Sequence, residues 1–277
     1  MRIETNALNL LRENNLNNVP QVFGLSKKYN CAIFTWIEGK NITRFNTKYI
    51  DQAISFQKRI KRIGKSISYR KVNIGIGTFF SAKGLLLDIE ERYRLLTTKC
   101  DKNFSLFLKK EFYPIYQKAS NLIKYNFIRN KIGFDKDTLH KNRVLTQQDF
   151  GFQNCLVKDG KLFFVDFEYF GWDDPVKFTA DTLQHPNLVN ISTNLKYFSR
   201  EFYKVYVNSS FDKKRFSFVY NLHGLRWCLI VGNIFLRSKH VSSSRKNEKI
   251  NLIRGKIKDI SSNLDMDVPS SFALIKN

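Results

Sequence analysis

The stretch 145–175, LTQQDFGFQNCLVKDGKLFFVDFEYFGWDDP, places a carboxylate at Asp149, a carboxamide at Asn154 and a carboxylate pair at Asp166 and Glu168. Carboxylates and a carboxamide are hard donors of the kind Mg²⁺ prefers. That ion usually takes one or two carboxylates and leaves its other positions to water and phosphate. Between Asn154 and Asp166 the sequence predicts a short apolar hairpin, with strands over 155–157 and 162–165 joined by Lys158-Asp159-Gly160-Lys161. Asp-Gly suits a two-residue type I′ turn, because both central residues need positive φ. Such a turn folds Asp166 back toward Asn154 and gathers the oxygens at one end. Asp and Asn beside an Asp-Gly turn are ordinary turn formers when they stand alone. The order carries the weight here: loop, Asn, hairpin, acid-x-acid at the strand end, then Gly and Asp-Asp-Pro.

That order resembles the catalytic loop and metal-binding strand of the aminoglycoside phosphotransferase and choline kinase families, small-molecule relatives of the protein kinases. The protein-kinase catalytic loop has the same Asp-x-x-x-x-Asn spacing, with Asp accepting the substrate proton and Asn holding a metal. The resemblance implies that Asp149 is the catalytic base and that Asn154 and Asp166 hold Mg²⁺, with Glu168 a secondary site residue. Phe-Glu after Asp166 is similar to the small-molecule kinases, where protein kinases have Phe-Gly. Phe150-Gly151-Phe152 and the run from Asp166 to Pro175 look closest to an uncharacterised bacterial branch. Two positions depart from the pattern. Gln147-Gln148 stand where relatives often have His-Gly or Pro-Ser, and Gln153 stands where close relatives have His. Neither change removes the base or an oxygen ligand.

The elements that position this stretch begin with an amphipathic helix over residues 1 to about 17, with Ile3, Ala7, Leu8, Leu11 and Leu16 near one face. In the family this looks like the αC-type helix of the small lobe, which puts Glu4 where a Glu pairs with an ATP-binding Lys. A first-turn Glu is equally favoured by the helix dipole. Residues 31–37, CAIFTWI, read as a strand by their β-branched and aromatic content. By resemblance, Thr35, Trp36 and Ile37 are the hinge that meets adenine; on composition alone they suit a plain core strand followed by a turn. No GxGxxG and no strand Lys lies upstream of Glu4, so the small lobe is expected to be truncated.

Downstream, Asn46 caps a helix to about Ile63, with Tyr49, Ala53, Phe56, Ile60 and Ile63 on one face and Gly64 at its end. Residues 65–79 form a connector. Helices are expected from Ser81 to about Thr97 and from Phe104 to about Phe127, with Pro114 kinking or restarting the second. Asp173-Asp174-Pro175 starts a helix toward Leu183, ended by His185-Pro186. Asp181 on it looks like the family's acid that braces the catalytic loop, or else a solvated helix residue. No nucleophile neighbours His185 in sequence, so it receives no catalytic role. Three further helices are expected near 193–208, 214–236 and 246–263, with Ser242-Ser243-Ser244 in a polar loop.

The 277 residues, 43% hydrophobic with 25 Phe, can bury a substantial core. No segment combines a basic start with an apolar run, and the longest apolar run, 225–236, is too short to span a bilayer. The cysteines at 31, 100, 155 and 228 show no CxxC spacing, so neither zinc nor disulfide chemistry is indicated. A reduced, cytoplasmic protein is expected. The net charge of +23 could attract nucleic acid, acidic lipid or phosphorylated substrates. Its plainer source is an AT-rich coding bias, which enriches Lys, Asn, Ile, Phe and Tyr. The positive residues are scattered and no nucleic-acid motif accompanies them.

The resulting expectation is an α+β, protein-kinase-like fold, with a remnant small lobe over 1–39 and a helical large lobe over 40–277 that carries the catalytic β-hairpin. Its implied activity is ATP- and Mg²⁺-dependent phosphoryl transfer to a small hydroxyl- or amine-bearing metabolite, such as a saccharide. Its implied partners are a nucleotide and a small-molecule acceptor. Two alternatives remain: a catalytically impaired binding protein of the same fold, and a basic nucleic-acid binder.

Overall fold

The computed structural model of the chain describes residues 2–43, 45–188 and 194–264, without the side chains of 237–240. In chain order the first elements are α1 (Arg2–Glu13), β1 (Val22–Ser26), β2 (Cys31–Phe34), β3 (Lys40–Asn41), α2 (Thr47–Ser66), α3 (Ala82–Lys99), α4 (Lys102–Phe107) and α5 (Tyr113–Arg129). Then come β4 (Val144–Thr146), β5 (Cys155–Lys158), β6 (Lys161–Phe164), β7 (Gly171–Asp173), α6 (Pro175–Gln184), α7 (Leu195–Tyr206), α8 (Ser210–Gly232) and α9 (Ser243–Leu264). Contacts divide the chain into a unit of Met1–Thr78 with Thr138–Asn208 and a unit of Phe79–Asp137 with Ser209–Asn277. This division does not follow the expected boundary at residue 39. The first residues are bonded to the hairpin: Phe164 N–H donates to the Asn18 carbonyl at 2.9 Å, and β3 pairs with β5.

Among the described residues, every strand lies in the first unit. β1 and β2 pair antiparallel, β3, β5 and β6 form a three-stranded sheet, and β4 pairs antiparallel with β7. β1 was not anticipated, and residues 35–37 lie beyond the end of β2 rather than within it. Helix α1 stops four residues short of expectation because Asn15 enters the left-handed region at φ 62° and Leu16 N–H closes on the Leu11 carbonyl at 2.9 Å. Asn46 caps α2 as expected, its side chain accepting Tyr49 N–H at 3.0 Å. The helix runs past Gly64, however. A Cβ there would meet the Leu145 Cβ at 3.0 Å, so this glycine admits β4 against the helix and does not end it. Phe56 stacks on Phe164 at 3.7 Å and Phe150 on Phe202 at 5.6 Å, giving a core of aromatic pairs under the hairpin.

The second unit is helical among its described residues. The expected helix over 104–127 is divided: α4 passes through a π-turn at Leu108–Phe112 into α5, with Pro114 in the first turn of α5. Phe104 stacks on Phe235 at 3.8 Å, and Leu96, Phe112, Phe127, Phe216 and Leu229 complete the core. Ser243 and Ser244 belong to the first turn of α9, and the polar loop ends at Ser242, whose Oγ accepts Arg245 N–H at 3.3 Å. Residue 193, where the helix near 193–208 was expected to begin, lies outside the described residues; α7 starts at Leu195. Among the described residues no helix is long and apolar enough to cross a membrane.

Candidate active site

The Asp159-Gly160 turn adopts φ of 50° and 69°, as a type I′ turn requires. It sets β5 against β6 in the register Cys155↔Phe164, Leu156↔Phe163, Val157↔Leu162. One step beyond, Val165 N–H donates to the Asn154 carbonyl at 3.0 Å, so the chain carrying Asp166 returns alongside Asn154. Asp166 itself holds φ 64°, a left-handed conformation that turns the chain out of the strand direction immediately after β6. Asn154 closes the loop from the other side, its Nδ2 donating to the Asp149 carbonyl at 2.9 Å. The structure therefore joins Asp149, Asn154 and the chain of Asp166 through two short bonds.

The two glutamines before Asp149 are what the sequence reading left without a role. Gln147 is fully buried, and its Nε2 donates to the carbonyls of Val165 at 2.7 Å and Asp166 at 3.2 Å, tying the loop to the chain just after β6. Gln148, at φ 62°, donates to the Thr78 hydroxyl and lies against Gly75. Gly75 in turn accommodates β7: a Cβ on Gly171 would stand 2.4 Å from the Gly75 nitrogen, and Gly75 N–H donates to the Trp172 carbonyl at 3.1 Å. These are backbone close approaches, for which residue type alone offers no cue beyond the glycines.

A cavity of about 490 Å³ is lined by Glu4, Thr35, Trp36, Ile37 and Asp166, together with Gly39, Leu156 and Val165. Its size suits a nucleotide-sized ligand. Asp149, Asn154, Glu168 and Asp181 are not among its lining residues. Within the hinge-like segment, Thr35 N–H donates to the Gln21 carbonyl at 2.9 Å and the Ile37 carbonyl accepts Gly39 N–H at 2.8 Å. Trp36 is 88% exposed, which is unlike the interior of a core strand. Glu4 accepts Phe167 N–H at 3.4 Å, so its bond goes to the backbone after Asp166.

Asp149, Asp166 and Glu4 share one electrostatic character. Burial raises Asp149 above its ordinary value; the bond from the Asn154 amide opposes this, and the charges of Glu168 and Asp181 reinforce it. Asp166 is raised by burial and then by Glu168 and Asp149. Glu4 is raised by burial, with Phe167 N–H pulling the other way and Asp166 adding to the rise. Like charges kept close without a cation are an arrangement that a divalent ion relieves. Among the described residues no three His, Cys, Asp or Glu side chains converge to hold a metal. The donor set available is thus the Asp166 carboxylate and the Asn154 amide oxygen, whose nitrogen is already engaged. That set fits Mg²⁺, which keeps its remaining positions for water and phosphate.

Asp181 is 5% exposed and therefore not a solvated helix residue; Lys177 Nζ lies 3.2 Å from it and 3.1 Å from Asp173, which is fully buried. His185, passed over in the sequence, places Nε2 3.9 Å from Asp149 Oδ1 and 3.4 Å from the amide nitrogen of Gln153. The spacing of 173, 177, 181 and 185 was the available cue, since residues four apart share a helix face.

No protein-family model and no curated protein sequence matches the chain. Solved structures of small-molecule kinases share its fold. A spectinomycin phosphotransferase, solved in complex with ADP and spectinomycin, superposes with TM-score 0.61 at 15% identity, over 95% of this chain and 82% of that one. A choline/ethanolamine kinase family protein from Mesorhizobium loti gives TM-score 0.58 at 15% identity, over 99% of this chain and 84% of that one. A Plasmodium vivax ethanolamine kinase gives 0.56 at 16%, over 94% and 72%. The chain has the protein-kinase-like fold of these enzymes.

Proposed function

We propose that this protein is an ATP- and Mg²⁺-dependent phosphotransferase whose acceptor is a small metabolite bearing a hydroxyl or amine. The observation that carries this reading is the hairpin closure: Asn154 is bonded to Asp149 on one side and to the chain of Asp166 on the other. Fold likeness to phosphotransferases solved with ADP and spectinomycin or with ADP and hygromycin B supports the reaction class. In this scheme Asp149 orients the acceptor hydroxyl and takes its proton as the bond to phosphorus forms. Asn154 and Asp166 would hold Mg²⁺, which when bound offsets charge on the β- and γ-phosphates. Gln147 and Gln148 keep the loop in register, and the 490 Å³ cavity beside Trp36 and Ile37 receives the nucleotide base. A soluble protein working in the cytoplasm is the matching location.

A titration of the full chain with ATP, with and without Mg²⁺, tests the reading. Binding that strengthens with Mg²⁺ and weakens in Asp166→Ala and Asn154→Ala supports it. Nucleotide binding without transfer to any hydroxyl compound favours a catalytically impaired binder, an outcome to which the Glu4 bond to backbone rather than to a lysine gives some weight. No nucleotide binding, with nucleic-acid affinity that falls steeply as salt rises, would instead favour the basic binder.

A further inference from the structure

Positions 173, 177, 181 and 185 recur at intervals of four along α6 and its two ends, and all four side chains are buried or nearly so. Lys177 stands between two carboxylates, 3.1 Å from Asp173 and 3.2 Å from Asp181. Asp174 caps the same helix, accepting Val176 N–H at 2.8 Å and Lys177 N–H at 3.0 Å. One turn beyond Asp181 comes His185, whose side chain is 8% exposed. Its Nδ1 accepts Asn187 N–H at 3.1 Å. A ring that accepts at Nδ1 and carries a single hydrogen must carry it on Nε2. Nε2 faces Asp149 Oδ1 at 3.9 Å and the Gln153 amide at 3.4 Å, and that amide meets an N–H when its oxygen is turned to the ring.

We infer that His185 is a positioning residue for Asp149: neutral and protonated on Nε2, it steadies one carboxylate oxygen and leaves the other for the acceptor. The Asp173–Lys177–Asp181 file fixes the helix end from which it works. Burial pushes the imidazole down to about 4, against the pull of Asp181, so the ring stays neutral in ordinary buffers. The function of this device rests on the reading of Asp149 as the group that orients the acceptor; its geometry does not. Histidines that are oriented from one nitrogen and act through the other are a common way to place a reactive group.

The test has two arms. ¹⁵N correlation spectra of the full chain distinguish the tautomers of its four histidines, with the His185 signals assigned by their loss in His185→Gln. An Nε2–H tautomer at pH 7 whose shifts move in Asp149→Ala supports the inference. An Nδ1–H ring, an imidazolium, or shifts indifferent to Asp149→Ala overturns it. The second arm follows MgATP turnover, including slow hydrolysis without an acceptor. His185→Gln, which keeps a donor near Nε2, should stay within about threefold of the parent, while His185→Leu should lose about 10- to 100-fold in kcat at unchanged nucleotide KM. Equal losses in two folded variants would mean that the ring only packs, and would also overturn the inference. A parent that turns over no MgATP defeats the phosphotransfer reading instead, and the spectra then decide the positioning claim alone.

Discussion

Two sets of acidic side chains, one in each unit, are held in opposite ways. In the helical unit Asp88 receives Arg92 Nε at 2.8 Å and Arg226 Nε at 2.7 Å. Burial is the largest single influence on Asp88 and pushes it up, yet the two guanidiniums together hold it below its ordinary value. Glu111 accepts Arg254 Nε at 2.7 Å and Nη2 at 2.8 Å, a bidentate pair, and is likewise lowered. In the hairpin unit Glu4, Asp149 and Asp166 are all raised, by burial and by neighbouring carboxylates. The chain has 47 Lys and Arg against 24 Asp and Glu, yet among the described residues no lysine or arginine bonds these three. The paired carboxylates hold helices together, whereas the three beside the hairpin face like-charged neighbours. The Asp173–Lys177–Asp181 file lies between these extremes, buried beside the site with one lysine shared by two carboxylates.

Four substitutions press on that contrast, in descending order of effect. Asp149→Ala should cut phosphoryl transfer by about 10²- to 10⁴-fold, the usual contribution of a positioned base. Initial rates with MgATP measure this, and the melting temperature should not fall. Lys177→Met should cost about 3–5 kcal/mol in urea unfolding at pH 7, because two buried carboxylates lose their counter-charge. Asp173 is already raised to about 6 by burial, against the pull of Lys177. A raised carboxyl adds stability that is full below its ordinary 3.8 and disappears as pH rises through the folded value. Without Lys177 that value climbs further, so the deficit of the variant should shrink at pH 5.

Arg226→Leu should cost about 1.5–3 kcal/mol, the range for a hydrogen bond to a charged group. Asp88 is lowered, so its contribution is present above 3.8 and is lost as pH falls through the depressed folded value. Parent and variant should therefore converge in strong acid, and a gap that persists there would reassign the effect to packing on Phe79. The smallest effect has the opposite sign. Asp166→Asn, without Mg²⁺, should raise stability by up to about 1 kcal/mol, since it removes a like charge from a partly solvated cluster. Mg²⁺ should then raise the melting temperature of the parent and leave the variant where it is. A destabilised variant would mean that Asp166 is paired in solution, and the contrast between the units would collapse.

Much of the hairpin was legible because its determinants are local. Asp159-Gly160 demands its own turn, apolar residues on either side demand strands, and Asn46 and Asp174 cap the helices that follow them. Other features were misread where a residue type has two uses. Gly64 looked like a helix terminator and is a contact point for Leu145. Residues 35–37 looked like strand and lie beyond it, because Gln21 N–H donates to the Thr35 hydroxyl and the ladder register ends at Val22↔Phe34. Gln147 and Gln148 looked like deviations from a motif. They turn out to be the bonds that join the loop to residues 18 or more positions away.

By itself the sequence determined which oxygens exist, which turn lies between them and therefore that Asn154 and the chain of Asp166 must meet. Those outcomes follow from φ preferences and strand register over a few residues. Only the tertiary structure decided that the Asp173–Lys177–Asp181 file is buried, and that His185 rather than a neighbour in sequence faces Asp149. It also decided that, among the described residues, no lysine or arginine bonds Glu4, Asp149 or Asp166. Charge pairing falls off within several ångströms of space, and distance along the chain says little about distance through the folded core.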